Sequence, residues 1–386
     1  MVGDDDHSTG LEITMQHQKL QQIDQDLIKL LGERISVLAE SSIPLEEQIS
    51  NCSTYLTEAG VPESIWQNLV TSCIAAVTTV TSDRTQIQPR NVTAIGGSGI
   101  MGRFFSDRLR AAGHNVSVLE YNDWDNAEKL LSQADLVLIC VPLKSTLAVI
   151  QKVAKYLRPT TALVDIASIK TFFVQAMLEQ HQGPVLGLHP MFGPGVKSFL
   201  SQKVVVCPGR GDSSFRWFLD LIENDGGELI ACTPEEHDRL MVAVQVIRHF
   251  STFSLGVFLA EEEIDIARSL DFASPIYRLE SNIVSRLFAQ DGSLYMDIIL
   301  ASEERTQAVA RLAQTYSRLA ELVVKHDRTA LMQEFATAQN AFQLQCDRAL
   351  EESNYIINAL STLLAASKDK ANRIPATLKL THTLGK

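Results

Sequence analysis

The sequence predicts an α/β protein, a doubly wound parallel sheet preceded by one all-α block and followed by another. Three observations carry that expectation. Between Asn91 and Cys207, short aliphatic runs alternate with amphipathic stretches, the βαβ pattern of a parallel sheet covered on both faces. A glycine-rich turn, Gly97-Ser98-Gly99-Ile100-Met101-Gly102, follows the first of these runs and opens a helical stretch. Before and after this region, apolar residues return at helical spacing and strands are not evident. The 386 residues are 45% hydrophobic and 21% charged, which is the composition of a globular chain rather than a disordered or fibrous one.

The elements follow in order. In block 1–84, Leu20, Ile23, Leu27, Leu30, Leu31, Ile35 and Leu38 mark one face of a long helix. Ser41-Ser42-Ile43-Pro44 ends it, a second helix starts near Glu46, and Gly60-Val61-Pro62-Glu63 turns into a third that reaches about Thr81. Ser82 to Arg90 is a polar linker. In block 91–234 the expected strands are Asn91–Ile95, Val116–Glu120, Leu136–Val141, Ala162–Ile166, Val185–Leu188 and Lys203–Cys207, with helices at Met101–Ala112 and Thr146–Leu157. Block 235–368 repeats apolar residues at helical spacing through Leu240–Leu259, Ile276–Phe288 and Leu294–Val323. It reads as a helical bundle that joins two copies of the chain into a homodimer. Residues 369–386 are expected to form a flexible tail.

Composition excludes several classes. A formal net charge of −12 argues against a nucleic-acid partner, which needs Lys and Arg to neutralise phosphates. No uninterrupted apolar run reaches the ~20 residues of a spanning helix, so no membrane partner is expected. The six cysteines are scattered, with no C-x-x-C pair, so neither a disulfide framework nor a metal site is expected. The acidic start Met1-Val2-Gly3-Asp4-Asp5-Asp6 is the opposite of a signal peptide, and a cytoplasmic protein is expected.

The glycine-rich turn has the context of a dinucleotide site, a strand before it and a helix after it. Gly97 is expected to permit the tight turn, Gly99 to admit a pyrophosphate, and Gly102 to allow close helix–strand packing, with the helix N-terminus facing the anion. Ser98, Ile100 and Met101 complete the loop. The next strand ends at Glu120, placed to accept from a ribose 2′-hydroxyl and to repel a 2′-phosphate, so the cofactor is expected to be NAD. Val141-Pro142 ends a further strand, where the nicotinamide half would lie.

Polar clusters mark the substrate side. Asp165-Ile166-Ala167-Ser168-Ile169-Lys170 leaves a strand end with a hydroxyl and an ammonium, and Gly187-Leu188-His189-Pro190-Met191-Phe192-Gly193-Pro194 is expected to place His189 in a Gly/Pro-locked loop after a strand. Ligands of open α/β sheets bind at the carboxyl ends of strands, and a histidine there is a natural general base near neutral pH. Gln245-Val246-Ile247-Arg248-His249-Phe250 and the arginines Arg278 and Arg286 lie in apolar helices. Arg278 and Arg286 are eight residues apart and share roughly one face. The plainer reading pairs these arginines with Glu280, Glu303 or Asp238 in a core. The functional one is recognition of a carboxylate-bearing small molecule.

Together these strings resemble the prephenate dehydrogenase family. The resemblance runs from about Asn91 to Asp347 and rests on six strings in order: Gly96 to Gly102, Asp165 to Lys170, Leu186 to Gly193, Arg248 to Phe253, Ser274 to Glu280 and Arg286 to Asp291. It is nearest to the bacterial enzymes in which this domain follows a chorismate mutase domain. The resemblance implies a Rossmann-type domain that binds NAD and oxidatively decarboxylates prephenate to 4-hydroxyphenylpyruvate. It further implies that His189 accepts the proton of the ring 4-hydroxyl, that Arg286 pairs with the ring carboxylate, and that Ser168 and Lys170 orient the substrate. Gln245, His249, Arg278 and Tyr295 are further candidates for substrate contact. Arogenate dehydrogenase and a NAD-binding regulatory protein without catalysis are the alternatives.

The first block resembles the all-helical chorismate mutases in part. Ile23-Asp24-Gln25-Asp26-Leu27-Ile28-Lys29-Leu30-Leu31-Gly32-Glu33-Arg34 and Gly60-Val61-Pro62 carry the likeness. The departures fall on the chemistry. Arg34 is kept, but His17 stands at the family's earlier arginine, the active-site lysine has no counterpart, and the second helix reads Glu46-Glu47-Gln48. Through Asp83 the chain holds thirteen acidic residues against three basic ones, a net of −10, whereas the rest is nearly balanced at thirty-three against thirty-one. Such a field repels a dianion, so mutase activity is expected to be absent or very weak, with the block retained for packing, dimerisation or regulation.

Overall fold

The structure is a computed structural model that describes residues 5–41, 43–80, 88–193 and 195–372. It divides into two compact units, Met1–His237 and Asp238–Lys386. The division falls inside the helix at which the helical block was expected to begin.

The first unit opens with helices. α1 (Asp5–Ala39) starts well before the expected Leu20, α2 (Leu45–Ser50) and α3 (Ser53–Ala59) replace one expected helix, and α4 (Glu63–Val80) follows. The break between α2 and α3 falls at Asn51-Cys52, and Gly60, with φ of +66°, closes α3 in a left-handed turn. α4 packs on α1 and α2 and buries Val70 and Cys73. Much of the apolar face of α1 stays exposed, including Leu20, Ile23, Leu27 and Leu30. Most of the expected linker, residues 81–87, lies outside the described residues.

The strands and helices then alternate: β1 (Asn91–Ile95), α5 (Ile100–Ala111), β2 (Asn115–Leu119), α6 (Ala127–Leu131), β3 (Leu136–Ile139), α7 (Leu143–Val153), β4 (Ala162–Asp165), α8 (Thr171–Gln180) and β5 (Val185–Pro190). β6 (Lys203–Arg210), α9 (Arg216–Asn224) and β7 (Glu228–Ala231) complete the sheet. Among the described residues the strand order is β2-β1-β3-β4-β5-β6-β7. β1 to β5 are parallel, with Val92 beside both Val116 and Leu136. Strand alternation feeds two cores. Val137 and Ile139 join Ile150, Phe173 and Met177 on one face, whereas Leu136 and Leu138 join Phe105, Leu109 and Phe218 on the other.

Two features correct the expectation of a uniformly parallel sheet. β6 runs antiparallel to β5, pairing Val205 with His189, and β7, parallel to β6, was not anticipated. The physical reason is the link between β5 and β6. It carries no crossover helix, and a parallel return needs one. A third correction concerns His189 itself, which belongs to β5 rather than to the loop beyond it.

α10 (Pro234–Met241) spans the boundary of the units. A π-helical segment, Val242–Ile247, and α11 (Arg248–Glu261) continue the helical backbone. The helix Pro234–Glu261 is long and apolar enough to cross a membrane by length and composition, and only 11% of its most apolar window is buried. A scan for uninterrupted apolar runs passes over it because charged residues punctuate it.

The second unit continues with α12 (Ile266–Ser269), α13 (Pro275–Phe288), α14 (Gly292–Ile299), α15 (Glu303–Val324), α16 (Arg328–Phe342) and α17 (Cys346–Asn372). Local caps explain the starts. The Ser274 hydroxyl accepts from the Tyr277 amide with Pro275 in the first turn, and the Asp291 carboxylate accepts from the Ser293 amide. The expected helix Leu294–Val323 is therefore two, broken where Ser302 caps α15 through the Arg305 amide. A small core of Val246, Ile298 and Ile299 holds α14 to the π-helical segment. Of the expected tail, 369–372 belong to α17 and 373–386 lie outside the described residues.

Candidate active site

The turn between β1 and α5 is built for close approach. Gly96, one residue before the expected tight-turn glycine, has φ of +73°, and a Cβ there would stand 2.8 Å from the Cys140 carbonyl oxygen. The left-handed residue is thus Gly96, and Gly97 is instead held tight against the Val118 methyls. A side chain at Gly102 would collide with the Gly96 carbonyl oxygen and the Gly97 backbone, as expected for helix–strand packing. Gly99 is the N-cap of α5 and brings no side-chain cap, so the first-turn N–H groups remain directed at an anion.

Glu120 lies one residue beyond β2, and its Oε1 accepts from the Ser98 amide at 2.8 Å. The carboxylate therefore fixes the loop and keeps lone pairs for a ribose diol. Val141 abuts Gly96, and Pro142 is the N-cap of α7. Ile100, Met101, Phe104, Phe192, Gly193 and Lys197 line a cleft of about 270 Å³ at the start of α5. These elements fit a dinucleotide, with an uncapped helix end, a glycine-rich turn and an acid at the second strand.

Beside this loop, alternation puts Asp165, Gly187, His189 and Cys207 on one face of β4, β5 and β6. Lys170 Nζ donates to Asp165 Oδ2 at 2.5 Å, and neither side chain has exposed surface. Asp165 Oδ2 also accepts from the Ala167 amide at 2.9 Å. Burial pushes the Asp165 carboxyl up from the usual range, and the Lys170 charge opposes that. Gly187 makes the pair possible, because a Cβ there would lie 2.9 Å from Lys170 Cδ and 2.7 Å from a Val174 methyl. The ammonium expected on the substrate side is thus met by a carboxylate of its own strand end. The enclosed ammonium bound to Asp165 holds the strand end. Ser168 is half-buried between β4 and α8.

His189 is 3% exposed, and its Nδ1 lies 2.7 Å from His237 Nε2. His237, on α10, is 1% exposed. Sequence reasoning missed it, because nothing local distinguishes that histidine and its partner is 48 residues away.

The second unit gathers a separate cationic cluster. The His249 ring meets Tyr295 with centroids 4.8 Å apart. Burial first, and then the Arg248 charge, hold His249 down at about 4. Burial pushes the Tyr295 phenol up, and the charges of Arg248 and Arg286 act against that. Gln245 lies one turn before His249 on the π-helical segment, a local widening often found at functional sites. Arg286 is exposed. Arg278 is not its twin. It is half-buried, and its Nη2 donates to the Leu270 carbonyl at 3.0 Å, a backbone tether the sequence did not suggest. The core arginine is Arg305 instead, 3% exposed and donating to the Ile298 carbonyl at 2.9 Å, with Asp238 and Glu304 offsetting its desolvation.

In the first block, Arg34 Nη2 donates to Gln48 Oε1 at 2.7 Å, and the guanidinium lies over Trp66 at 5.4 Å. Gln48 in turn donates to the Ile43 carbonyl. The cation kept from the mutase-like pattern is thereby engaged in holding α1, α2 and α4 together.

Comparison with known proteins follows these boundaries. Residues 98–231 match the family model described as prephenate dehydrogenase, nucleotide-binding domain, and residues 233–337 match that described as prephenate dehydrogenase, dimerization domain. The T-protein of Enterobacter agglomerans is 36% identical over 367 residues, covering 90% of this chain and 98% of that protein. The T-protein of Haemophilus influenzae is 38% identical over 272 residues, covering 70% and 72%. Among solved structures, the prephenate dehydrogenase of A. aeolicus in complex with hydroxyphenyl propionate and NAD+ superposes with a TM-score of 0.55 at 18% identity, covering 67% of this chain and 99% of that one. The Synechocystis arogenate dehydrogenase gives 0.50 at 19%, covering 66% and 99%.

Proposed function

The chain belongs to the prephenate dehydrogenase family, and from that premise we propose that it carries out the NAD-dependent oxidative decarboxylation of prephenate to 4-hydroxyphenylpyruvate in tyrosine biosynthesis. The observation that carries this reading is the pairing of an uncapped, glycine-rich loop after β1 with a buried histidine at the carboxyl end of β5, on one sheet.

Bound at the loop, NAD+ would supply the acceptor for the hydride of ring C4. The α5 N-terminus would hold its pyrophosphate, and Glu120 would hold the adenosine ribose and disfavour a 2′-phosphate. His189 accepts the 4-hydroxyl proton as that oxygen becomes a carbonyl. It returns the proton once CO₂ has left and the ring is aromatic. Aromatisation supplies the driving force, so the side chains position and polarise. Arg286 is assigned to the ring carboxylate, which a planar guanidinium can bind in bidentate fashion. His249, Gln245 and Tyr295 are assigned to the pyruvyl end. The Ser168 hydroxyl is assigned to the substrate hydroxyl.

The test is NADH formation on adding prephenate, with His189→Asn as the control variant. The variant is expected to lose ~10²–10⁴-fold in turnover while still binding NAD. Near-full turnover in His189→Asn would sink the assignment. Relatives named arogenate dehydrogenase, among them one from Arabidopsis thaliana at 31% identity over 182 residues, favour arogenate as a second reading, and the same assay with arogenate ranks the two substrates.

Three further parts of the proposal rest on the chain's own surfaces. The mutase-like block is inactive, supported by its charge and by the engagement of Arg34, and chorismate conversion is expected below ~1 s⁻¹. The second unit makes a homodimer, supported by the apolar surface that Pro234–Glu261 leaves unburied and expected to appear as twice the chain mass in light scattering. A reducing compartment such as the cytoplasm is proposed from the six scattered cysteines, which form no C-x-x-C pair.

A further inference from the structure

Two imidazoles share one hydrogen bond behind β5. His189 Nδ1 and His237 Nε2 are 2.7 Å apart, with the rings inclined at 66°. A nitrogen–nitrogen distance this short requires one proton between two lone pairs. If His237 supplies the proton, His189 carries its own on Nε2 and can only donate there. If His189 supplies it, Nε2 presents a lone pair and can act as a base.

One charged neighbour bears on the choice between the two. Asp165 is near enough for its carboxylate and the His237 ring to act on each other. Asp165 makes no hydrogen bond to His237, its Oδ2 being taken by Lys170 and Ala167 and its buried Oδ1 having no partner among the described residues, so its charge alone favours the inferred tautomer, with the His237 proton on Nδ1, the nitrogen that does not face His189. His237 Nε2 is then the acceptor. The other ionisable groups of this layer do not compete. Lys170 is paired with Asp165, and burial first, then Cys232, push the Cys207 thiol up and keep it protonated. Asp238, the next residue on α10, acts on Arg305.

We propose that His237 is a positioning residue for the dehydrogenase reaction. It accepts the Nδ1–H of His189, holds Nε2 as the basic nitrogen, and shares the positive charge that arises when Nε2 takes the substrate proton. The inference rests on the reading of His189 as the base. In the step itself the substrate O–H bond breaks and an Nε2–H bond forms. The electron pair left on oxygen becomes the carbonyl bond as the hydride leaves C4 for NAD+. The same proton returns to oxygen after decarboxylation. Asp165 balances the charge on the histidine pair in between, much as a buried carboxylate does for a catalytic imidazolium.

The test compares His237→Leu with His237→Gln across pH, using prephenate and NAD. Glutamine places its amide where Nε2 stands and can accept the Nδ1–H, whereas leucine cannot. His237→Leu is expected to lower kcat by ~10²–10⁴-fold, with KM for NAD within about threefold. Its activity is expected to fall away at lower pH than in the wild type, because the protonated pair has lost a partner. His237→Gln is expected to recover at least about tenfold of the lost kcat. Equal impairment of the two variants at every pH, or a leucine variant within about twofold of wild type, overturns the proposal. Should the leucine variant not fold, His237→Asn replaces it, since its shorter amide stands at the Nδ1 position. If the wild-type chain forms no NADH with prephenate, the reading of the reaction fails. The inference is then decided by ¹⁵N NMR of the His189 ring, where a proton on Nδ1 supports it and a proton on Nε2 overturns it.

Discussion

A lysine without exposed surface is costly unless its charge is met at once, and Lys170 shows how the chain meets it. Gly187 leaves room for the alkyl stem, Asp165 meets the ammonium at 2.5 Å, and the Ala167 amide supports the carboxylate. Breaking such a pair is worse than never having had it, because the survivor stays buried and charged. Lys170→Met is therefore expected to destabilise the chain by ~3–5 kcal/mol, read as a lower urea midpoint, and the double variant Lys170→Met/Asp165→Leu to recover much of that loss. The sequence made His189 visible, because it stands beyond an aliphatic run, at the carboxyl end of a strand where ligands of open α/β sheets bind. It also made Lys170 visible, but not its pairing with Asp165, because five residues of separation do not say that the chain beyond β4 brings the two side chains together. His237 was invisible for a related reason. A contact between residues 48 apart leaves no local pattern.

Elements differ in how far their chemistry can be read from local sequence. The loop from β1 to α5 was legible down to its ligand because its glycines answer purely local sterics. Only the identity of the left-handed residue shifted, from Gly97 to Gly96. At the end of β2, Glu120 serves both the loop and the cofactor. Glu120→Ala is expected to lower kcat/KM for NAD at least tenfold, equivalent to ~1.4 kcal/mol, and to narrow the preference over NADP in paired assays. β6 was legible as a strand, but its direction was not, since period-two alternation is the same in both senses. In α11, His249 offers a pH-dependent reading. Its folded value is about 4 against an ordinary 6.5, so the unfolded chain takes up this proton first as pH falls. The contribution of neutral His249 is whole above about pH 6.5 and is lost on the way down to about pH 4, at no more than ~1.4 kcal/mol per pH unit. Urea titrations between those values should show a shallower decline in His249→Gln than in the wild type.

The whole chain holds two compact units, and one stability value does not describe such a molecule. The dinucleotide loop belongs to the first unit alone. Calorimetry is expected to resolve two transitions, and NAD at a hundred times its Kd should stabilise one of them by ~2.7 kcal/mol and leave the other in place. A single transition with and without NAD would show that the units unfold together. Charge is divided along the chain as well, and α1 makes that division matter. It exposes Leu20, Ile23, Leu27 and Leu30 on a block that carries ten of the twelve surplus negative charges. Any contact between two copies through that face sets the apolar stripe against mutual repulsion. Ionic strength then works in reverse of its usual effect on charged surfaces. As the Debye length shrinks from ~10 Å at 0.1 M salt to ~3 Å at 1 M, the repulsion fades and the stripe remains, so salt draws these helices together where it would loosen an interface held by ion pairs.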